Sequence, residues 1–279
     1  MLAIRENYIN IYYRGGNILR ITETNHGRYQ TFFDANYSVF GKEIPQLPKV
    51  IESQDYAKKW ADSFPILKNL MDENFSEYGK TERELQQLVA RINNNSPLSN
   101  SSEYFITDIE VSGSDFSGRF DMAGIRWPAG NQRKYGRGCQ PVLIEMKYGD
   151  GAISGKAGII KHLDDIYEVL RKEDQKRKLL ATIENQFSQL DRFGLFRFNK
   201  GKSDAIVKLG FEAKPEVVFL FTDHNPRSSG LSKTLMDKRF DDFSDSEVFD
   251  LRFFVASFSG FALHTQCMLP LEEFRQLLN

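Results

Sequence analysis

Cysteine is scarce in this chain of 279 residues: only Cys139 and Cys267 occur, far apart and without a Cys-x-x-Cys pair. That argues against both a disulfide framework and a cysteine-ligated zinc site. Long apolar runs are missing too, since none approaches the roughly 20 residues that span a bilayer. The opening Met1-Leu2-Ala3-Ile4-Arg5-Glu6 lacks the charged-then-apolar order of a secretory signal, so a cytoplasmic protein is expected. Charge of one sign is also lacking. Lys and Arg number 37 against 38 Asp and Glu, a net charge of −1, so global charge does not announce a partner for polyanions. The four histidines have no metal-ligand spacing; His162, on the polar side of its helix, is the one worth testing. There is no internal repeat and no low-complexity segment. With 41% hydrophobic and 27% charged residues, the composition is that of an ordinary soluble globular protein, long enough for one large domain or two small ones.

What is present centres on Pro141-Val142-Leu143-Ile144-Glu145-Met146-Lys147-Tyr148-Gly149. Side chains alternate across a strand, so Glu145 and Lys147 share one face while Ile144 and Met146 take the other. A strand apolar enough for the middle of a sheet carries a carboxylate and an ammonium side by side only if they pair with other groups or bind something. Upstream, Gly118 to Trp127 reads as a second strand with one acid, Asp121, among apolar neighbours. If the two strands pair, Asp121 and Glu145 can converge on a divalent cation with Lys147 at its edge.

Asp121 on one strand and Glu145-Met146-Lys147 on the next resemble the PD-(D/E)XK nuclease superfamily, although Phe120 stands where the family name has proline. The resemblance covers roughly residues 78 to 260. It implies hydrolysis of phosphodiester bonds, of DNA ahead of RNA, with restriction, phage defence or repair as settings and a homodimer as one assembly. It also implies an Mg²⁺ or Mn²⁺ cofactor held by Asp121, Glu145 and the main-chain carbonyl of Met146, with Lys147 orienting or deprotonating a water. Hard cations favour such oxygen donors and keep several waters. Family members often add a Glu from the preceding helix, where Glu84 and Glu82 qualify; Glu84 has a rival role as the acid of the capping box Thr81-Glu82-Arg83-Glu84. Gln186 matches a Gln of some family branches, with Gln189 nearly as good and an ordinary exposed Gln as the competing reading. Asp108 and Glu110 are either peripheral ligands or the wet face of a strand.

In chain order, Asn7 to Thr24 reads as a β-hairpin turning at Gly15-Gly16, with a third short strand at Tyr29 to Phe33. Pro45 and Pro48 place a boundary near residue 50, giving a β-rich extension over 1–50 and an α/β domain over 51–279. A helix from Asp55 to Leu70, kinked or split at Pro65, precedes a second helix that opens at the capping box and stops at Asn93-Asn94-Asn95-Ser96-Pro97. Three strands follow: Tyr104 to Val111, Gly118 to Trp127 and Gln140 to Tyr148. Two helices come next, with Ile159, Leu163, Ile166 and Leu170 on one face and then Leu179, Ile183, Phe187 and Leu190. A buried strand at Val217 to Phe221, a helix from Leu231 to Phe240, a strand from Leu251 to Ser257 and a helix from Leu271 to Leu278 close the chain. That order predicts an α/β fold, a mixed β-sheet flanked by helices of the restriction-endonuclease-like type, with an N-terminal β-hairpin extension.

Competing readings narrow the rest. Glu212-Ala213-Lys214 repeats the Glu-x-Lys triplet, but it precedes Pro215 with no apolar run before it and reads as loop surface. Gly155-Lys156 is not a phosphate-binding P-loop, because Ala157 stands where Ser or Thr would hold Mg²⁺; Lys156 instead reads as a contact to a substrate phosphate at the start of a helix. Arg126, Arg133, Lys134 and Arg137 crowd the loop between the two site strands and are expected to contact nucleic acid, while a later helix carries Arg171, Lys172, Lys176, Arg177 and Lys178. For each cluster the alternative is solvated surface charge. For the whole chain the alternatives are a catalytically silent nucleic-acid-binding or regulatory protein of the same fold, or a protein–protein interaction domain in which Glu145 and Lys147 merely pair.

Overall fold

A computed structural model describes residues 1–24, 27–113, 116, 118–155, 158–198, 208–209, 213–225, 227–256 and 260–278. The chain divides into two compact units, Met1–Gln87 and Leu88–Asn279. Among the described residues no helix is long and apolar enough to cross a membrane.

The first unit is built on a five-stranded antiparallel sheet in chain order: β1 (Leu2–Ile4), β2 (Tyr8–Tyr13), β3 (Gly16–Glu23), β4 (Tyr29–Phe32) and β5 (Val50–Ile51). The expected hairpin is present, but its tight turn sits one residue earlier, at Arg14 and Gly15, with φ of 48° and 73°. Gly15 has a second constraint: a Cβ there would lie 2.3 Å from the main-chain oxygen of Arg83. Helix α1 (Gln54–Glu77) starts at Ser53, whose side chain accepts the N–H of Tyr56, and runs through Pro65 as one element. Pro65 is exposed, so the carbonyl it leaves without an N–H partner can turn to water. Trp60, Leu67, Leu70, Met71 and Phe75 of α1 form one core with Ile18, Leu19 and Tyr37. This helix belongs with the sheet, so the first unit reaches well past residue 50.

Helix α2 (Thr81–Asn95) ends where the asparagine run predicts. In the second unit, β6 (Tyr104–Ser112), β7 (Arg119–Arg126), the one-turn helix α3 (Asn131–Lys134) and β8 (Gln140–Tyr148) are followed by α4 (Ile159–Leu170), α5 (Glu173–Arg192) and β9 (Glu216–Thr222). The remaining elements are α6 (Gly230–Leu235), α7 (Arg239–Ser244), β10 (Asp250–Val255) and α8 (Leu271–Leu277). The single helix expected from Leu231 to Phe240 is two, separated at 236–238, where the Asp237 side chain accepts the Arg239 N–H. The sheet runs β10-β9-β8-β7-β6, antiparallel from β6 to β8 and parallel from β8 to β10. It is the mixed sheet with flanking helices that the element order predicts. On its outer edge, Asn94 donates to the Ile106 carbonyl at 2.7 Å and accepts the Ile106 N–H at 2.8 Å, substituting for a missing strand.

Strand register assigns the faces. One carries Phe105, Ala123, Leu143, Glu145, Lys147, Phe219, Phe221 and Phe253. Helix α5 packs there against β6 and β7, with Phe187 and Phe105 rings 6.2 Å apart. At the other end Phe274 of α8 stacks on Phe221 and Phe253. The four apolar positions expected on each of α4 and α5 are all buried.

Candidate functional site

The β7–β8 ladder stops at the pair Met122↔Ile144. One residue beyond that pair come Asp121 on β7 and Glu145 on β8, which by strand alternation share the face of Ala123 and Leu143. Beyond the ladder the Met146 N–H has no strand to donate to, and the Asp121 carboxylate takes it: Oδ2 accepts that N–H at 2.8 Å. A residue in a strand turns its N–H and C=O to the same side, so the Met146 carbonyl also faces the open end of β7.

Glu145 is 1% exposed and Lys147 is 5% exposed. The Lys147 Nζ lies 3.8 Å from Glu145 Oε2, and His162 Nδ1 of α4 lies 3.0 Å from the same oxygen. Among the described residues, neither carboxylate oxygen of Glu145 receives a hydrogen bond of proper geometry. A buried carboxylate without donors is costly, by several kcal/mol once relaxation is counted, and the Lys147 ammonium at 3.8 Å offsets only part of that. On β9, Phe219 and Phe221 stand beside Glu145 and Lys147 and supply an apolar wall.

The structure gathers Asp121, Glu145, Met146, Lys147 and His162 at one place, and gives several other expected residues partners of their own. Glu84 belongs to the first unit, where its carboxylate is ion-paired to Arg14, which also holds Asp72 at 2.8 Å. Gln186 is 2% exposed, contrary to the surface reading: it donates to Asp108 at 3.0 Å and accepts from Thr107 at 3.2 Å. Asp108 is thereby an interior partner of α5, not wet strand surface, while Glu110 pairs with Arg119.

The basic loop is corrected more sharply. Arg133 is 2% exposed and donates to the carbonyls of Asn100, Ser102 and Trp127 at 3.3, 2.7 and 2.6 Å. Its guanidinium lies over Phe105, 5.0 Å from the ring centroid. Burial lowers its pKa, with the Glu103 charge opposing that shift. Arg126 points to the other face of the sheet and pairs with buried Glu216 at 2.7 Å. Both guanidinium groups are thus committed to partners within the protein. Lys134 and Arg137 are exposed and remain able to meet a phosphate. Lys156, Glu212 and His26 lie outside the described residues.

One pair had no local signal. Asp150, just beyond β8, meets His224, just beyond β9, at 2.7 Å. Burial would raise the Asp150 pKa, but hydrogen bonds from Ser228 and His224 hold it below the ordinary value.

Among the described residues, no three His, Cys, Asp or Glu side chains are arranged to hold a metal ion. The donor set nevertheless fits a hard cation: the buried, donorless oxygens of Glu145, the Asp121 carboxylate and the Met146 carbonyl are all oxygen ligands, and Mg²⁺ usually needs only one or two carboxylates beside water and phosphate. No protein-family model, curated protein or solved structure matches the chain.

Proposed function

We propose that the chain is a metal-dependent endonuclease acting on DNA in preference to RNA, and that it works in the cytoplasm. The observation that carries this reading is Glu145: a buried carboxylate without hydrogen-bond donors, on the same strand face as Lys147, with Asp121 fastened to the peptide N–H between them. The antiparallel meander continued by parallel strands, and the helices over the site face, support it as the arrangement the PD-(D/E)XK resemblance implies.

Asp121, Glu145 and the Met146 carbonyl would hold Mg²⁺ or Mn²⁺. When bound, the cation offsets charge developing on the phosphate and lowers the pKa of a water. Lys147, fixed relative to Glu145 by the strand, orients that water or takes its proton and counters the charge of the scissile phosphate. Phe219 and Phe221 limit water around these groups, which strengthens each electrostatic interaction.

Incubation with plasmid and linear DNA should give cleavage with Mg²⁺ or Mn²⁺ and none in EDTA. Robust cutting in EDTA would remove the metal from the reading; absence of cutting on any DNA or RNA would favour the silent protein of the same fold. DNA binding by the loop is tested separately, in EDTA. Lys134→Ala with Arg137→Ala should reduce the slope of log K against log salt by about 1–2, because each phosphate neutralised on duplex DNA accounts for about 0.9 of that slope. An unchanged slope would make both residues ordinary surface charge.

A further inference from the structure

We propose that the first unit carries a binding surface for single-stranded nucleic acid, on the sheet face opposite α1, where Phe32 stacks on an unpaired base and Arg20 holds a neighbouring phosphate. This goes beyond the cleavage reading above and uses neither the cation nor the Glu145 and Lys147 pair.

Register assigns the face. Ala3, Asn10, Arg20 and Phe32 form one row across β1 to β4, so their side chains project to the same side. Ile11, Leu19 and Ile21 project to the other side, into the core that α1 closes. Along the row Ala3 and Asn10 are buried, while Phe32 is 54% exposed. A lone exposed ring is ordinary on a protein surface. Its neighbour gives this one a use.

Arg20 is held in place. Its Nε donates to Asn10 Oδ1 at 3.1 Å, and its guanidinium lies over the Tyr8 ring, 4.9 Å from the centroid. Asn10 is fixed in turn by donating to the Tyr12 hydroxyl at 3.0 Å. Among the described residues no acceptor meets Nη1 or Nη2 of Arg20 and no carboxylate pairs with it. The planar fork is therefore pre-set and still has donors for two phosphate oxygens. Arg5 donates to the hydroxyls of Tyr8 and Tyr12 at 2.8 and 3.3 Å and adds a second positive charge. None of the strand residues that register places on this side is acidic. A cationic fork beside an exposed ring suits a polyanion that also offers flat, unstacked rings, which a single strand does and a duplex does not.

The full chain is titrated in EDTA, without cleavage, into fluorescent oligothymidylate, an abasic strand of equal length and a duplex, with anisotropy as the readout. Wild type should bind the thymidylate strand about tenfold tighter than the abasic one. Phe32→Ala should lose about tenfold on the thymidylate strand and nothing on the abasic strand or the duplex. Arg20→Ala should reduce the slope of log K against log salt by about 0.7 on either single strand, the share of one phosphate. Arg20→Lys, which keeps the charge without the fork, should keep the slope and lose affinity. Thermal melting checks the fold of each variant, and Phe32→Ala, at an exposed position, decides the matter if the Arg20 variants disturb the Asn10 network. Equal binding of thymidylate and abasic strands, or a Phe32→Ala protein that binds as wild type does, overturns the inference. A chain that binds single strands in this way and never cuts keeps this inference and loses the endonuclease reading. One that cuts, with binding indifferent to both positions, loses this inference alone.

Discussion

Lys147→Ala should retain the cation and lose about 10²- to 10⁴-fold in cleavage rate, the usual contribution of a positioned acid–base group. Glu145→Gln, which keeps size and removes charge, should lose metal affinity and cleavage together. The distinction arises because the two side chains share a strand face but not a function: one supplies the buried oxygens, the other stands 3.8 Å away at the edge of the site. A purely structural pair predicts a different pattern. Removing either member of a buried ion pair usually costs about 3–5 kcal/mol, because the other charge is stranded. Here the separation is long and the Glu145 oxygens lack hydrogen bonds, so the pair already contributes little to stability. Metal-free melting of both variants should therefore fall by less than that amount, while added Mn²⁺ raises the melting temperature of wild type and Lys147→Ala but not of Glu145→Gln. If both variants melt far below wild type, and neither wild type nor Lys147→Ala responds to Mn²⁺, the catalytic reading of this strand fails.

Strand alternation made the central pair legible. Once Pro141 to Tyr148 is a strand, Glu145 and Lys147 must share a face, and antiparallel pairing with β7 brings Asp121 to the end of the same ladder. The apolar faces of α4 and α5 followed from spacing for the same reason, since periodicity is local. What escaped depends on partners far along the chain. Arg133 looks like loop charge until the carbonyls of Asn100, Ser102 and Trp127 surround it, and no pattern near residue 133 announces them. Gln186 sits beside buried Phe187 on α5, and Asp108 and Thr107 across the packed layers make its burial tolerable. Glu84 fits a capping box by spacing, yet Arg14 from the hairpin turn takes its carboxylate. β1 and β5, with three and two residues, are too short for alternation to register.

Glu216→Ala should be among the most damaging single changes to stability, by about 3–5 kcal/mol, without touching the site face. Glu216 is fully buried on the opposite side of the sheet. Its Oε1 accepts the Tyr104 hydroxyl at 2.6 Å and its Oε2 accepts Arg126 Nη1 at 2.7 Å. Among the described residues Arg126 Nε already lacks a partner, so loss of Glu216 leaves a mostly buried guanidinium with nothing to balance it. Burial first, and the Glu216 charge second, raise the Tyr104 pKa, which keeps the phenol protonated and donating. The linkage has a definite sign. Because the folded chain holds that proton longer than the unfolded one, the contribution is complete below pH 10 and is lost as pH climbs above it. Urea unfolding at neutral pH measures the first effect, and repetition through the alkaline range measures the second. The triple change Tyr104→Phe, Arg126→Met, Glu216→Leu removes all three polar partners at once and should recover most of the loss, since an apolar replacement of a whole buried network strands no charge. A stable Glu216→Ala protein would instead show that Arg126 and Tyr104 do not depend on Glu216 for their place in the fold.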